Sequence, residues 1–385
     1  MSSILGGRAP ARFLRDHWQK RPLLIRQALP GFAGIVDREQ FLALAERDDA
    51  TSRLVIEHPR RRGRGHWERH DGPFGGLDAS MLPATHWTLL VHGLESLVPG
   101  GWELLRHFDF IPTARIDDLM VSYAADAGSV GPHDDRYDVF LLQGPGRRRW
   151  QVSTRGDRSV DPDAAIKVLA RFEPEEEWLL EPGDMLYLPP GVAHHGVADG
   201  PCFTYSIGFL APSHVELVQS FLMYLAPALG PSVDPDALYQ DPGLAPARDP
   251  LELSDAMVAQ VAAVLTRNIR WDRALAAEFL GCFLTRPKPH AQFAAPARPL
   301  AHDAFARRLR ARRGRLALAL PTRGLVRGQR IFLNGEVHDA KPTTLRLFKQ
   351  LVGERILPLP LPAAPDHASL ELLHAWYVAG YLTLV

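Results

Sequence analysis

Between about residue 117 and residue 210 the chain is built from short apolar runs broken by Gly, Pro and Asp: DDLMVSYA, YDVFLLQ, RRRWQVS, EWLLEPGDMLYLP and CFTYSIGFL. Several short strands at such spacing predict a sandwich or barrel. The flanks read differently. DREQFLALAERD (37–48) opens on a capping Asp and carries apolar residues at helical spacing, and HWTLLVHGLESLVP (86–99) has a similar stripe, so residues 11–100 are expected to be mostly helical. After APSH (211–214) helical patterns return in VELVQSFLMYLAPAL, LELSDAMVAQVAAVLTRNI and WDRALAAEFLGCFL. The Pro-rich TRPKPHAQFAAPARP (285–299) predicts a linker. A mixed tail follows, with a basic helix near 301–313, the runs RLALAL and RGQRIFLNGEVHDA, and the apolar helix ASLELLHAWYVAG.

At 385 residues the chain should hold two or three folded units, and its 46% hydrophobic content is ample for their cores. Lys+Arg and Asp+Glu both number 44, so no overall basic field argues for bulk nucleic-acid binding. Cys202 and Cys282 form neither a C-x-x-C pattern nor a disulfide framework. The N-terminus lacks a signal-peptide apolar core, and no stretch approaches the roughly 20 apolar residues of a membrane helix. The expectation is a soluble, cytoplasmic protein that does not depend on a membrane.

His133 and Asp135 stand two apart at the start of a strand-like run, so alternation puts both on one face, able to share an ion. H-x-D alone is common and is more often a turn cap or surface pair. Downstream, EPGDMLYLPPGVAHHG (181–196) places Gly183, then Pro189-x-Gly191, then His194 in the spacing of the second cupin motif. There a strand, turn and strand carry the His back over a barrel interior, which selects His194 over His195. Two His and one carboxylate match the facial set of non-haem Fe(II) oxygenases, with open positions left on the metal. A third His, or a Cys, would have pointed to zinc or other chemistry.

Fe(II) needs an electron-donating co-substrate to activate O2, and 2-oxoglutarate is the common one at such sites. Its distal carboxylate calls for a buried cation with paired donors, which Arg supplies. Arg147, Arg148 and Arg149 follow the turn at 144–146. Read as a hairpin, a four-residue loop (143–146) pairs Leu141 with Arg148, while a three-residue loop presents Arg147 or Arg149. Spacing alone leaves the choice open, and at least two of the three read as solvated charges on an edge strand.

These segments resemble the JmjC-type bacterial ribosomal oxygenases, which are ribosomal protein arginine hydroxylases. FLRDHWQKRPLLIRQALPG is similar to the family's opening, DDLMVSY and VGPHDDRYDVFLLQGPGRRRWQV to its first metal segment, and LYLPPGVAHHG with YSIGFLAPS to its second. The resemblance implies iron ligands at His133, Asp135 and His194, and Arg148 as the anchor of 2-oxoglutarate. It places Asp118, Met120 and Tyr137 where the family holds the substrate arginine, with Ser122 and Ser206 as weaker pocket candidates. Asp134, at the x of H-x-D, replaces a more familiar apolar or aromatic residue, and His195 also departs from the commoner pattern.

The implied fold is α+β: a double-stranded β-helix (cupin or jelly-roll, JmjC) core with flanking helices, a helical dimerisation region and a C-terminal winged-helix-like domain. The corresponding boundaries are 1–212 for the catalytic domain with its helical extension (barrel core about 85–212), 213–285 for the dimerisation region and 300–385 for the winged helix. The implied activity is Cβ hydroxylation of an arginine of large-subunit ribosomal protein sixteen by a homodimer. Demethylation of an N-methylated basic protein is the alternative within the same chemistry. A non-oxygenase cupin isomerase or binding module is a third reading, and a winged-helix nucleic-acid binder with a vestigial barrel a fourth. Six Arg cluster in ARRLRARRGR (306–315), a pattern that is usually a solvated helix face. Direct nucleic-acid binding is not expected.

Overall fold

The structure is a computed structural model and describes residues 4–59, 66–76, 82–234, 236–246, 251, 253–361 and 364–385. It divides into two compact units that interleave along the chain. The first comprises Met1–Ala211, Pro287–Arg323 and Arg346–Val385; the second comprises Pro212–Arg286 and Gly324–Leu345.

The first unit opens with α1 (Pro10–Asp16), β1 (Leu23–Ile25), α2 (Arg38–Ala45), β2 (Thr51–His58), β3 (His66–Asp71), β4 (Trp87–His92) and α3 (Pro99–Leu105). Eight strands follow: β5 (Ile116–Ala124), β6 (His133–Asp134), β7 (Val139–Gln143), β8 (Arg147–Ser153), β9 (Glu176–Leu180), β10 (Met185–Leu188), β11 (Ala193–Asp199) and β12 (Cys202–Phe209). They form an eight-stranded sheet, in the order β1-β10-β7-β12-β5-β4-β2-β3, and a four-stranded sheet, β6-β11-β8-β9. Every pairing within them is antiparallel.

Residues 86–99 differ from the helical expectation. Trp87–His92 is a strand between β5 and β2, and only a single 3-10 turn, Leu94–Ser96, follows it. Five of the six strand residues are buried, so the run lacks the alternation that marks a half-exposed strand and resembles a helix stripe. β1, β2 and β3 extend the large sheet well before residue 85. The α2 reading holds: Asp37 accepts the Gln40 backbone N–H at 2.8 Å in a capping box.

The hairpin drawn from residues 139–150 is corrected as well. Both edges of β7 are occupied, by β10 and β12, whereas β8 pairs with β11 and β9 in the other sheet. The turn at 144–146 is docked on the start of β12: Gly144 N–H donates to Phe203 O, and Phe203 N–H donates to Pro145 O. A Cβ at Gly146 would lie 2.2 Å from Pro201 O, and its φ is +84°, so glycine lets the chain cross here between sheets. β8 is therefore an inner strand and not a basic edge.

The eight-stranded sheet sorts its side chains by parity. From β12, Phe203, Tyr205, Ile207 and Phe209 join a core with Phe13, Phe41 and Phe108, while Thr204, Ser206 and Gly208 line a cavity on the opposite face. From β5, Leu119 and Val121 take the core side, and Asp118, Met120 and Ser122 the cavity side. The N-terminal segment is pinned to this core by a buried carboxylate. Tyr187 donates its hydroxyl to Asp138 at 2.6 Å, and the Gln19 amide donates to the other Asp138 oxygen at 2.9 Å.

The second unit holds α4 (His214–Ser232), α5 (Asp255–Asn268) and α6 (Arg273–Thr285). Next along the chain come α7 (His302–Leu309) and β13 (Arg315–Leu318) of the first unit, then the three-stranded sheet β14 (Gly324–Arg327), β15 (Arg330–Leu333) and β16 (Glu336–Asp339) of the second. A Cβ at Gly281 would lie 2.4 Å from the Phe332 ring, so glycine lets α6 close onto β15. Glu278 accepts from Arg330 and from the Tyr224 hydroxyl, both at 2.6 Å. Among the described residues no helix is long and apolar enough to cross a membrane.

Candidate metal and co-substrate site

β6 and β11 pair so that His133 lies directly opposite His194, with ring centroids 4.3 Å apart. Both rings are oriented by the backbone two residues before them. His133 Nδ1 lies 2.9 Å from Gly131 O, and His194 Nδ1 lies 3.0 Å from Val192 O. A carbonyl can only accept, so each Nδ1 carries a proton, which leaves Nε2 as the nitrogen through which each ring, when neutral, can ligate. Asp135 Oδ2 is 3.7 Å from His194 Nε2, and one ligand atom from each of His133, Asp135 and His194 lies within 4.8 Å of the others. Among the described residues this is the one such cluster. Burial and the neighbouring His133 push the His194 pKa down to about 4, so the imidazole is neutral and ready to ligate at neutral pH.

The cluster opens on a cavity of about 450 Å³. Arg148 projects into it at 3% exposure, with its guanidinium carbon 5.7 Å from the Trp150 ring. Its Nε and Nη2 are buried and have no hydrogen-bond partner within the protein. A buried cation with unused donors is costly unless an acceptor fills the space. The hydroxyls of Thr88 and Thr204 and the indole N–H of Trp150 border the same cavity and are equally unpartnered. A dicarboxylate that chelates a metal at one end and meets Arg148 at the other fits this set of donors. Arg147 and Arg149 turn outward, pairing with Asp199 at 2.9 Å and Glu177 at 2.7 Å.

Asp118, Met120, Tyr137, Ser122 and Ser206 all line the cavity. Burial opposes the charge on Asp118, but the hydrogen bond from His92 (3.1 Å) and the charges of His92, Lys288 and Arg323 outweigh it and hold the carboxyl below its usual range. Burial and the carboxylates of Asp135 and Asp118 raise the Tyr137 pKa, which keeps the phenol protonated. His195 projects away from the metal cluster, 6.1 Å from the Phe172 ring. Asp134 is drawn aside by Lys167 at 2.6 Å.

Sequence reasoning missed Thr88, Thr204, Trp150 and His92. The alternation of CFTYSIGFL already separates Thr204 from its aromatic neighbours. Thr88 and His92 lay in a stretch read as helix, so their parity carried no signal.

Residues 103–217 match the JmjC domain family, and residues 268–383 match the ROXA-like winged helix. Over 212 residues, 54% of this chain and 51% of the relative, the sequence is 41% identical to a probable ribosomal oxygenase of Haemophilus influenzae. Over 214 residues, 55% of this chain and 56% of the relative, it is 38% identical to the ribosomal protein uL16 3-hydroxylase of Escherichia coli. The matched stretch thus spans about half the length of these curated relatives. Among solved structures, YcfD, a ribosomal oxygenase from Escherichia coli, in complex with cobalt and 2-oxoglutarate, superposes with a TM-score of 0.80 at 30% identity over 98% of each chain. With that coverage, and with the His-Asp-His cluster and cavity described above, the chain belongs to the JmjC-domain ribosomal oxygenases that carry a ROXA-like winged helix.

Proposed function

We propose that the protein is an Fe(II)- and 2-oxoglutarate-dependent dioxygenase that hydroxylates the Cβ of an arginine in large-subunit ribosomal protein sixteen. The observation that carries this reading is the buried, unpartnered Arg148 guanidinium in the same cavity as the His133, Asp135 and His194 cluster. His133, Asp135 and His194 hold the iron through the two Nε2 atoms and the carboxylate. Arg148 holds the distal carboxylate of 2-oxoglutarate, helped by the hydroxyls beside it. Iron with 2-oxoglutarate supplies an oxidant made from O2, with release of succinate and carbon dioxide. The protein's own part is positional: Asp118, kept ionised, takes the substrate guanidinium, while Met120 and Tyr137 flank its stem and keep water from the reacting carbon. The substrate protein of the Escherichia coli relative supports the choice of ribosomal protein sixteen.

Incubation with Fe(II), 2-oxoglutarate and ribosomal protein sixteen is expected to add one oxygen to an arginine, located by fragment mass spectrometry. Loss of a methylene from a methylated substrate would instead identify a demethylase. An unmodified arginine with no 2-oxoglutarate consumed would leave a cupin isomerase or binding module.

The partner surface of this reading is a second copy of the chain. On α4, Val215, Val218 and Leu222 form an exposed stripe at 64%, 57% and 48%, and on α5 Val258, Val261 and Leu265 repeat the spacing. Apolar stripes of this kind support the helical region 213–285 as a dimer interface. Sedimentation is expected to give a dimer, and Leu222→Glu a monomer. A monomeric parent protein would remove the proposal. The reaction is placed in the cytoplasm, with no requirement for nucleic acid.

A further inference from the structure

The residue between the first two metal-cluster positions, Asp134, is held by a partner from a distant loop. Lys167 Nζ donates to Asp134 Oδ1 at 2.6 Å and to Asp134 O at 2.9 Å. The loop that carries Lys167 is stitched to itself and to the cluster strand. Asp161 N–H donates to Val168 O, Ala170 N–H to Ser159 O, and Leu169 N–H to Pro132 O at 2.7 Å. Its apolar residues face inward: Val168 and Ile166 pack with Trp67, Val55, Leu90 and Met120, and Ile166 and Lys167 border the cavity. Val168 also presses on Gly131, where a Cβ would lie 2.3 Å from its Cγ1, and the Gly131 carbonyl is the acceptor that orients His133.

We infer that Lys167 and Asp134 form a latch that positions residues 159–170 as one wall of the cavity and steadies the segment bearing His133 and Asp135. The charge at position 134 thereby has a use that an apolar or aromatic residue there could not serve. Lys167 is half exposed and Asp134 less so, so water and salt weaken the ion pair alone. Its effect comes from the second hydrogen bond, to a backbone carbonyl, and from the wall packed behind it. Lys167 and Asp134 are positioning residues, since the latch acts through the wall and the cluster strand.

The latch stands on geometry alone, and only its effect on coupling rests on the hydroxylase reading. Hydrogen exchange of the full-length protein tests it without turnover. In Lys167→Met, the amides of Asp161, Leu169 and Ala170 are expected to exchange roughly fivefold faster, with β12 unchanged. Asp134→Ala, which removes the side-chain acceptor but keeps the backbone one, should give a smaller increase in the same amides, the double variant should add little to Lys167→Met, and Lys167→Arg should restore slow exchange. Unchanged exchange in Lys167→Met, or an Arg variant as fast as the Met one, overturns the latch. In turnover, Lys167→Met should consume more 2-oxoglutarate per arginine hydroxylated than the parent. If exchange responds while no variant or parent turns over, the hydroxylase reading fails and the latch remains.

Discussion

Replacing His194 with Ala is expected to abolish stoichiometric divalent-metal binding and to lower turnover by more than about a hundredfold. That exceeds the 10- to 100-fold typical of losing a group that only supports a ligand. No nearby imidazole can take over, because His195 faces the Phe172 ring on the other side of the strand. The ring is 2% exposed and its pKa is depressed to about 4, so protons do not displace metal from it in the range where a free imidazole titrates. The same depression has a stability consequence in the metal-free protein. The unfolded ring binds a proton near the usual His value of about 6.5, the folded ring only near 4, so this residue's contribution falls as pH drops through that window. Calorimetric titration with Mn(II) and a 2-oxoglutarate consumption assay read the two effects. Full metal occupancy in His194→Ala would remove His194 from the ligand set.

The metal cluster was legible because its pieces are local. The H-x-D pair was found by its spacing, although β6 ends at Asp134 and Asp135 reaches the cluster from just beyond the strand. The Gly183 to His194 frame encodes its own turn, with Gly183 and Gly191 at φ +88° and +78°. Arg148 was legible in kind but not in register. Its inward direction depends on which neighbours β8 takes, and those, β11 and β9, lie far along the chain. A hairpin was the economical reading of two strands three residues apart, yet the free edges of β7 were already claimed by non-local partners. β4 failed for a related reason: burial on both faces erases the polar alternation that would have marked it as a strand. The pocket hydroxyls of Thr88 and Thr204 become recognisable only once both sheets are placed. Asp134 looked like a departure from pattern, and its partner Lys167 lies thirty-three residues away, beyond any local rule.

Arg148→Ala is expected to raise the KM for 2-oxoglutarate by roughly a hundredfold while leaving metal affinity and the KM for the protein substrate nearly unchanged. Losing one partner of a buried, hydrogen-bonded charge pair costs about 3–5 kcal/mol, which corresponds to that scale or more. Arg148→Lys should recover only part of the loss, because an ammonium cannot offer the two parallel donors of a guanidinium. The fold should tolerate both changes. β8 is held on each side by backbone pairing to β11 and β9, and removing the unpartnered Nε and Nη2 breaks no protein hydrogen bond. Truncation can even relieve the metal-free protein of an uncompensated buried charge, so a stable Ala variant with poor co-substrate binding is the specific signature. Arg147→Ala and Arg149→Ala serve as internal controls: each removes one exposed ion pair, worth at most about 1 kcal/mol, and should leave co-substrate binding unmoved. If Arg148→Ala keeps its KM for 2-oxoglutarate within about threefold, or if either neighbour matches its effect, the distal carboxylate is held elsewhere and the reading of this cavity must change.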